Sequence, residues 1–80
     1  PAFAGPSGSG FVVQVAAVRT RADAETIAKR LSAKGYPTFI TTAGANLRVR
    51  VGKYGDRKEA ESIAARLERE ERVSKPWITR

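Results

Sequence analysis

Three polar side chains stand where an extended chain would display them side by side. Gln14 interrupts the apolar run Phe11-Val12-Val13-Gln14-Val15-Ala16-Ala17-Val18, and Arg48 and Arg50 alternate with apolar residues in Leu47-Arg48-Val49-Arg50-Val51. Successive side chains of a strand point to opposite faces. Val49 and Val51 therefore share a core-facing side, and Arg48 and Arg50 project from the other. An amide and two guanidiniums over a shallow apolar floor suit an extended polar ligand. They do not suit catalysis. The chain has no Cys and no His, which excludes zinc sites, thiol and imidazole chemistry, and a disulfide framework. The carboxylates Asp23, Glu25, Asp56, Glu59, Glu61, Glu68, Glu70 and Glu71 all fall on or beside predicted helices. Capping, helix-dipole or salt-bridge roles explain most of them. None falls on the face of Gln14, as the paired carboxylates of glycosidase chemistry would have to. The glycines lack phosphate-cradle spacing. The residues thus point to a binder that is not an enzyme and needs no cofactor.

The elements that position these residues are legible in an internal repeat. Val13, Val15, Arg21, Ala24, Glu25, Ile27, Ala28, Arg30 and Leu31 recur 36 residues on as Val49, Val51, Arg57, Ala60, Glu61, Ile63, Ala64, Arg66 and Leu67. Two copies are too few for a solenoid and imply one pseudo-symmetric domain. Each copy reads strand, helix, strand. Thr20 and Asp56 offer N-caps, with Asp23 and Glu59 three residues on. Ala24, Ile27, Ala28 and Leu31 form a helical apolar stripe, matched by Ala60, Ile63, Ala64 and Leu67. Gly35 can take a left-handed C′ position. Tyr36 to Thr42 and Leu47 to Lys53 read as strands joined by a Gly44-containing hairpin, and Pro76 to Thr79 as a short last strand. The charged run Glu68 to Arg72 is expected to fray into a loop.

The order βαββαβ defines an α+β domain, ribonucleoprotein-like or ferredoxin-like. It has a four-stranded antiparallel sheet with both helices on one face. The other face is open. Its centre should carry Gln14, Arg48 and Arg50, flanked by Phe39 and Ile78, over a floor of Val12 and Ala16. Aligning Pro37-Thr38-Phe39 with Pro76-Trp77-Ile78 turns Trp77 inward or to an edge. A competing reading makes Gln14 and the two arginines ordinary solvated groups. A one-residue register slip would move Phe39 into the core.

Length and charge bound the rest. Eighty residues support one small domain, which buries roughly 60–65% of the surface its unfolded chain exposes. Lys+Arg number 15 and Asp+Glu 8, a net charge of +7. This favours an anionic partner without naming it. Arg21, Lys29, Arg30, Lys58, Arg66 and Arg69 belong to solvated helix faces. No apolar stretch approaches the roughly 18–20 residues of a membrane span, and there is no signal-peptide pattern. Residues 1–10, PAFAGPSGSG, read as a flexible linker or cloning remnant, with the domain occupying residues 11–80. A start at Pro1-Ala2 without Met leads to the expectation of a fragment whose anchor or targeting segment lies elsewhere.

The strand Phe11 to Val18, the stretch Arg21 to Pro37 with its Lys34-Gly35-Tyr36-Pro37 exit, Leu47-Arg48-Val49-Arg50-Val51-Gly52-Lys53-Tyr54, and Arg57 to Leu67 together resemble the SPOR domains. The resemblance spans Phe11 to Ile78. It implies the βαββαβ fold and binding of bacterial peptidoglycan, specifically glycan strands from which amidases have removed the stem peptides. Such strands accumulate at the division septum. The parent protein would then sit in the periplasmic or extracytoplasmic envelope, membrane-anchored or exported. Residue by residue, the family's binding Gln matches Gln14 and its third-strand Arg matches Arg48. Its small polar residue falls at Ala17, and an aromatic before the third strand falls near Asn46. An aliphatic contact in the last strand matches Ile78. Ala17, Val18 and Asn46 depart from the pattern, and Phe39 would supply an apolar sugar contact in their place. Arg50 adds positive charge for the carboxylates of denuded muramic acid. The domain is expected to be a monomer whose partner is glycan. The alternatives are an RNA-binding module of the same topology, or a protein-interaction domain. RNA is disfavoured because the open positions of the two central strands carry no aromatic ring on which bases could stack.

Overall fold

A computed structural model of the chain describes residues 10–80. The linker expected over residues 1–10 therefore lies, apart from Gly10, outside the described residues. The elements run β1 (Phe11–Val18), α1 (Arg21–Ala33), β2 (Thr38–Ala43), β3 (Asn46–Tyr54), α2 (Arg57–Glu70) and β4 (Trp77–Thr79). The strands form one sheet in the order β2-β3-β1-β4. Every pairing is antiparallel. This is the α+β, βαββαβ architecture expected from the repeat.

Local sequence explains where each helix begins and ends. Thr20 and Asp56 are extended N-cap residues whose side chains accept from the amides of Asp23 at 3.2 Å and Glu59 at 2.8 Å. The Glu59 carboxylate reaches back to the Gly55 N–H at 3.3 Å, closing a variant of the capping box. At the C-terminus of α1, Gly35 adopts φ +95° and the Tyr36 amide donates to the Leu31 carbonyl at 3.1 Å. At the end of α2, Arg72 takes the left-handed position at φ 58°, and the Val73 amide donates to the Leu67 carbonyl at 3.2 Å.

That second ending corrects one expectation. The run from Glu68 does not fray; α2 continues through Glu70 and Glu71 caps it. Arg66 pairs with Glu70 at 3.4 Å along the helix. Lys34 pairs with the largely buried Glu71 side chain at 3.2 Å, tying together the C-terminal ends of the two helices. In consequence α2 has 14 residues against 13 for α1, so the two copies fall out of step by one residue before β4 begins.

The helical stripes meet the valines of the central strands. Leu31, Leu67, Val13, Val49 and Val51 are the largest fully buried side chains. Ala24 and Ala28 of α1 and Ala60 of α2 are fully buried as well, which lets the helices approach the sheet closely. Between β2 and β3 the expected hairpin is tight. Ala43 pairs with Asn46, and Gly44 supplies the positive φ, +62°, that a two-residue connection demands at its first position. Gly52 in β3 has φ +150°, and a Cβ there would stand 3.1 Å from both the Phe11 carbonyl oxygen and Val12 Cγ1. The backbones of β1 and β3 thus come together where only a glycine fits.

Tyr54 closes β3 against this core. Burial, then the charge of Glu59, then Tyr36, push its hydroxyl up to about 12. A raised folded-state value means that the folded protein resists the phenolate. This contribution to stability is intact below about pH 10, the unfolded value, and is lost as pH climbs toward the folded one. Melting temperature is expected to decline over that window, and to decline less steeply in Tyr54→Phe. Parallel slopes for the two proteins would exclude Tyr54 as the source.

Candidate functional site

The sheet face away from the helices is built in cross-strand rows. Phe39 of β2 pairs with Arg50 of β3, Arg50 with Gln14 of β1, and Gln14 with Trp77 of β4. One row thus crosses all four strands: aromatic, guanidinium, amide, aromatic. The Arg50 Nη2 donates to Gln14 Oε1 at 3.2 Å, so the two central members hold one another in place. The next row runs from Thr41 through Arg48 to Ala17. Asn46 lies two residues before Arg48 at the hairpin end of β3, exposed and on the same face.

The placement of β4 overturns two expectations. Ile78 pairs with Val13 and packs against the helix-side core, so it is not on the open face. Trp77 is not turned inward; it pairs with Gln14 on the open face and is 67% exposed. The cause is register. The repeat does not align Thr38 with Trp77. Gln14 and Arg50 are mates at an offset of 36, and they pair respectively with Trp77 and Phe39. The true match is Phe39-Ile40-Thr41 with Trp77-Ile78-Thr79, an offset of 38. The extra turn residue of α2 and one more in the following loop account for the two-residue gain. A slip of one position inverts every side chain. The signal that could have found it is the shared aromatic-Ile-Thr order.

A bulge in β1 makes a third correction. The register shifts between Gln14 and Ala16, so Ala16 pairs with Val49 and packs on the helix side, and it is not part of the open floor. The same shift delivers Ala17 to the open face beside Arg48, where it is exposed. Val12 and Phe39 lie on the expected side, but both are shielded, at 2% and 6% exposure. Phe39, paired with Arg50 across the strands, thus offers little surface to a ligand.

Two grooves flank Trp77. One, of about 270 Å³, is lined by Gln14, Arg48, Arg50, Trp77 and Thr79. The other, of about 280 Å³, is lined by Gln14, the bulged segment Val15–Ala17, Ser74, Lys75 and Trp77. The first is electrostatically frustrated. The Arg50 Nε is buried without a hydrogen-bond partner among the described residues. Burial, and then the charge of Arg48, lower the Arg50 pKa from its ordinary value. All eight carboxylates of the chain lie on or beside the helices, so none relieves this charge pair. The arrangement favours a ligand that brings an acceptor oxygen, and a carboxylate above all. Among the described residues no group of His, Cys, Asp and Glu could hold a metal ion, and no helix is long and apolar enough to cross a membrane.

Comparison with known proteins agrees with this fold. The fold is shared with the solution structure of the peptidoglycan binding domain of the B. subtilis cell wall lytic enzyme CwlC. The TM-score is 0.75 and the identity 23%, over 95% of this chain and 98% of that one. No curated relative matches the chain. The sequence pattern of the SPOR domain matches residues 7–80, thus spanning every strand and helix described above. With the pattern covering nearly its whole length, the chain belongs to the SPOR domain family.

Proposed function

We propose that this domain binds peptidoglycan glycan strands across its open sheet face, without catalysing a reaction. The observation that carries this reading is the cross-sheet row. An indole that is 67% exposed stands beside an amide–guanidinium pair, in a groove with a second arginine and no carboxylate. Sugar rings present apolar faces and polar edges. Trp77 would stack on the first, and Gln14, Arg48 and Arg50 would bond the second. Trp77 then supplies the ring missing at Asn46 and takes the contact first assigned to Ile78. The binding function of the CwlC domain supports the ligand class.

The preferred ligand is glycan stripped of its stem peptides, and the consequence is recruitment of the parent protein to the division septum within the cell envelope. Removing the peptide frees the lactyl carboxylate of muramic acid, the group that two unneutralised guanidiniums favour. Charge-assisted hydrogen bonds of this kind contribute about 1.5–3 kcal/mol each. Co-sedimentation with purified sacculi before and after amidase digestion tests the reading. Binding should rise with digestion and fall with added salt. Equal binding to both preparations would overturn the preference, and no binding to either would overturn the function.

A further inference from the structure

The second groove takes no part in the glycan contacts proposed above. It begins at the same two side chains, Gln14 and Trp77, and runs the other way, past the β1 bulge to Ser74 and Lys75. β4 covers only Val12 to Gln14 of its neighbour. Beyond Gln14 the groove is lined by Val15–Ala17 of β1 and by Ser74 and Lys75 of the loop before β4. Lys75 holds a left-handed backbone, φ 51°, and is exposed, with no ion pair among the described residues. The nearby residues Val15, Ala16, Ala17 and Ser74 bring no negative charge. Arg48 and Lys75 thus line separate grooves that share Gln14 and the exposed indole of Trp77.

From this geometry we infer a second anion subsite at Lys75, which reads a second carboxylate on the same polysaccharide. The inference rests on the proposed glycan-binding function. It adds that the site is two-pronged. The arginine groove takes the acidic substituent of one sugar, Trp77 stacks on the intervening ring, and Lys75 takes the acidic substituent of the next acid-bearing sugar. The ligand is therefore a polymer with a carboxylate on alternate residues, and the shortest oligomer that fills the site carries two.

The test is calorimetric titration of the domain with two soluble peptide-free glycan fragments, a disaccharide with one carboxylate and a tetrasaccharide with two. Wild type should bind the tetrasaccharide more tightly. Lys75→Gln should lower tetrasaccharide affinity roughly three- to fivefold, as for the loss of one exposed ion pair, and leave disaccharide affinity unchanged. Lys75→Arg should retain most of the preference. An equal loss for both fragments, or no loss for either, would overturn the second subsite while leaving peptidoglycan binding intact. Failure of wild type to bind either fragment would instead overturn the underlying function.

Discussion

Trp77→Ala is expected to abolish most binding to amidase-treated sacculi and to leave the fold untouched. The indole is 67% exposed and sits on a strand of only three residues. Truncating an exposed side chain usually changes stability by no more than about 0.5 kcal/mol. An exposed aromatic anchor of a binding face commonly accounts for about 2 kcal/mol of affinity, or roughly thirtyfold. The two readouts thus separate. Sedimented fraction should collapse while the thermal melt stays within a few degrees. Trp77→Phe should recover part of the binding, because a smaller ring still stacks. Were Trp77 merely an edge-packing residue, the melt would move and binding would follow it. Full binding by Trp77→Ala would remove the indole from the site altogether.

The largest expected loss of stability comes from Leu67→Ala. Leu67 is fully buried and packs in the core with Val13, Leu31, Tyr36 and Val51. Emptying such a position costs about 2–5 kcal/mol. A domain of this size has a total stability on the order of 4–10 kcal/mol, so the variant should be largely unfolded near 37 °C or melt at least about 10 °C lower. Urea denaturation followed by circular dichroism measures this directly. Leu31→Ala, at the repeat mate of Leu67, should behave alike. A loss below about 1 kcal/mol at either position would contradict the packing described here.

The fold was legible because its signals were local and repeated. Capping residues, the alanine-rich stripes and the alternation of Val49 and Val51 with Arg48 and Arg50 each needed only a few neighbouring residues. They agreed with one another across the two copies. The face assignments of Gln14, Arg48 and Arg50 followed from that alternation and hold in the structure. What was not legible depended on counting across irregularities. The one-residue bulge between Gln14 and Ala16 moved Ala16 inward and Ala17 outward. The longer α2 and its loop displaced β4 relative to β2, and with it Trp77 and Ile78. Bulges and loop insertions have weak sequence signatures, yet each inverts every assignment downstream of it. Shielding was equally hidden. Phe39 faces the predicted side, and nothing in its immediate sequence reveals that only 6% of it is exposed.

The internal two-fold gives the open face a sense of direction. Gln14 and Arg50 exchange under it, and so do Trp77 and Phe39. A symmetric face would accept a threadlike molecule equally well in either orientation. Here the symmetry is broken at each outer position. One aromatic mate is open and the other closed, and Arg48 has the shielded Val12 as its counterpart. A polysaccharide has two chemically different ends, so on these unequal halves the proposed glycan would lie in one polarity. The internal repeat accounts for the two-fold scaffold, and the differences between its copies would let the face distinguish head from tail.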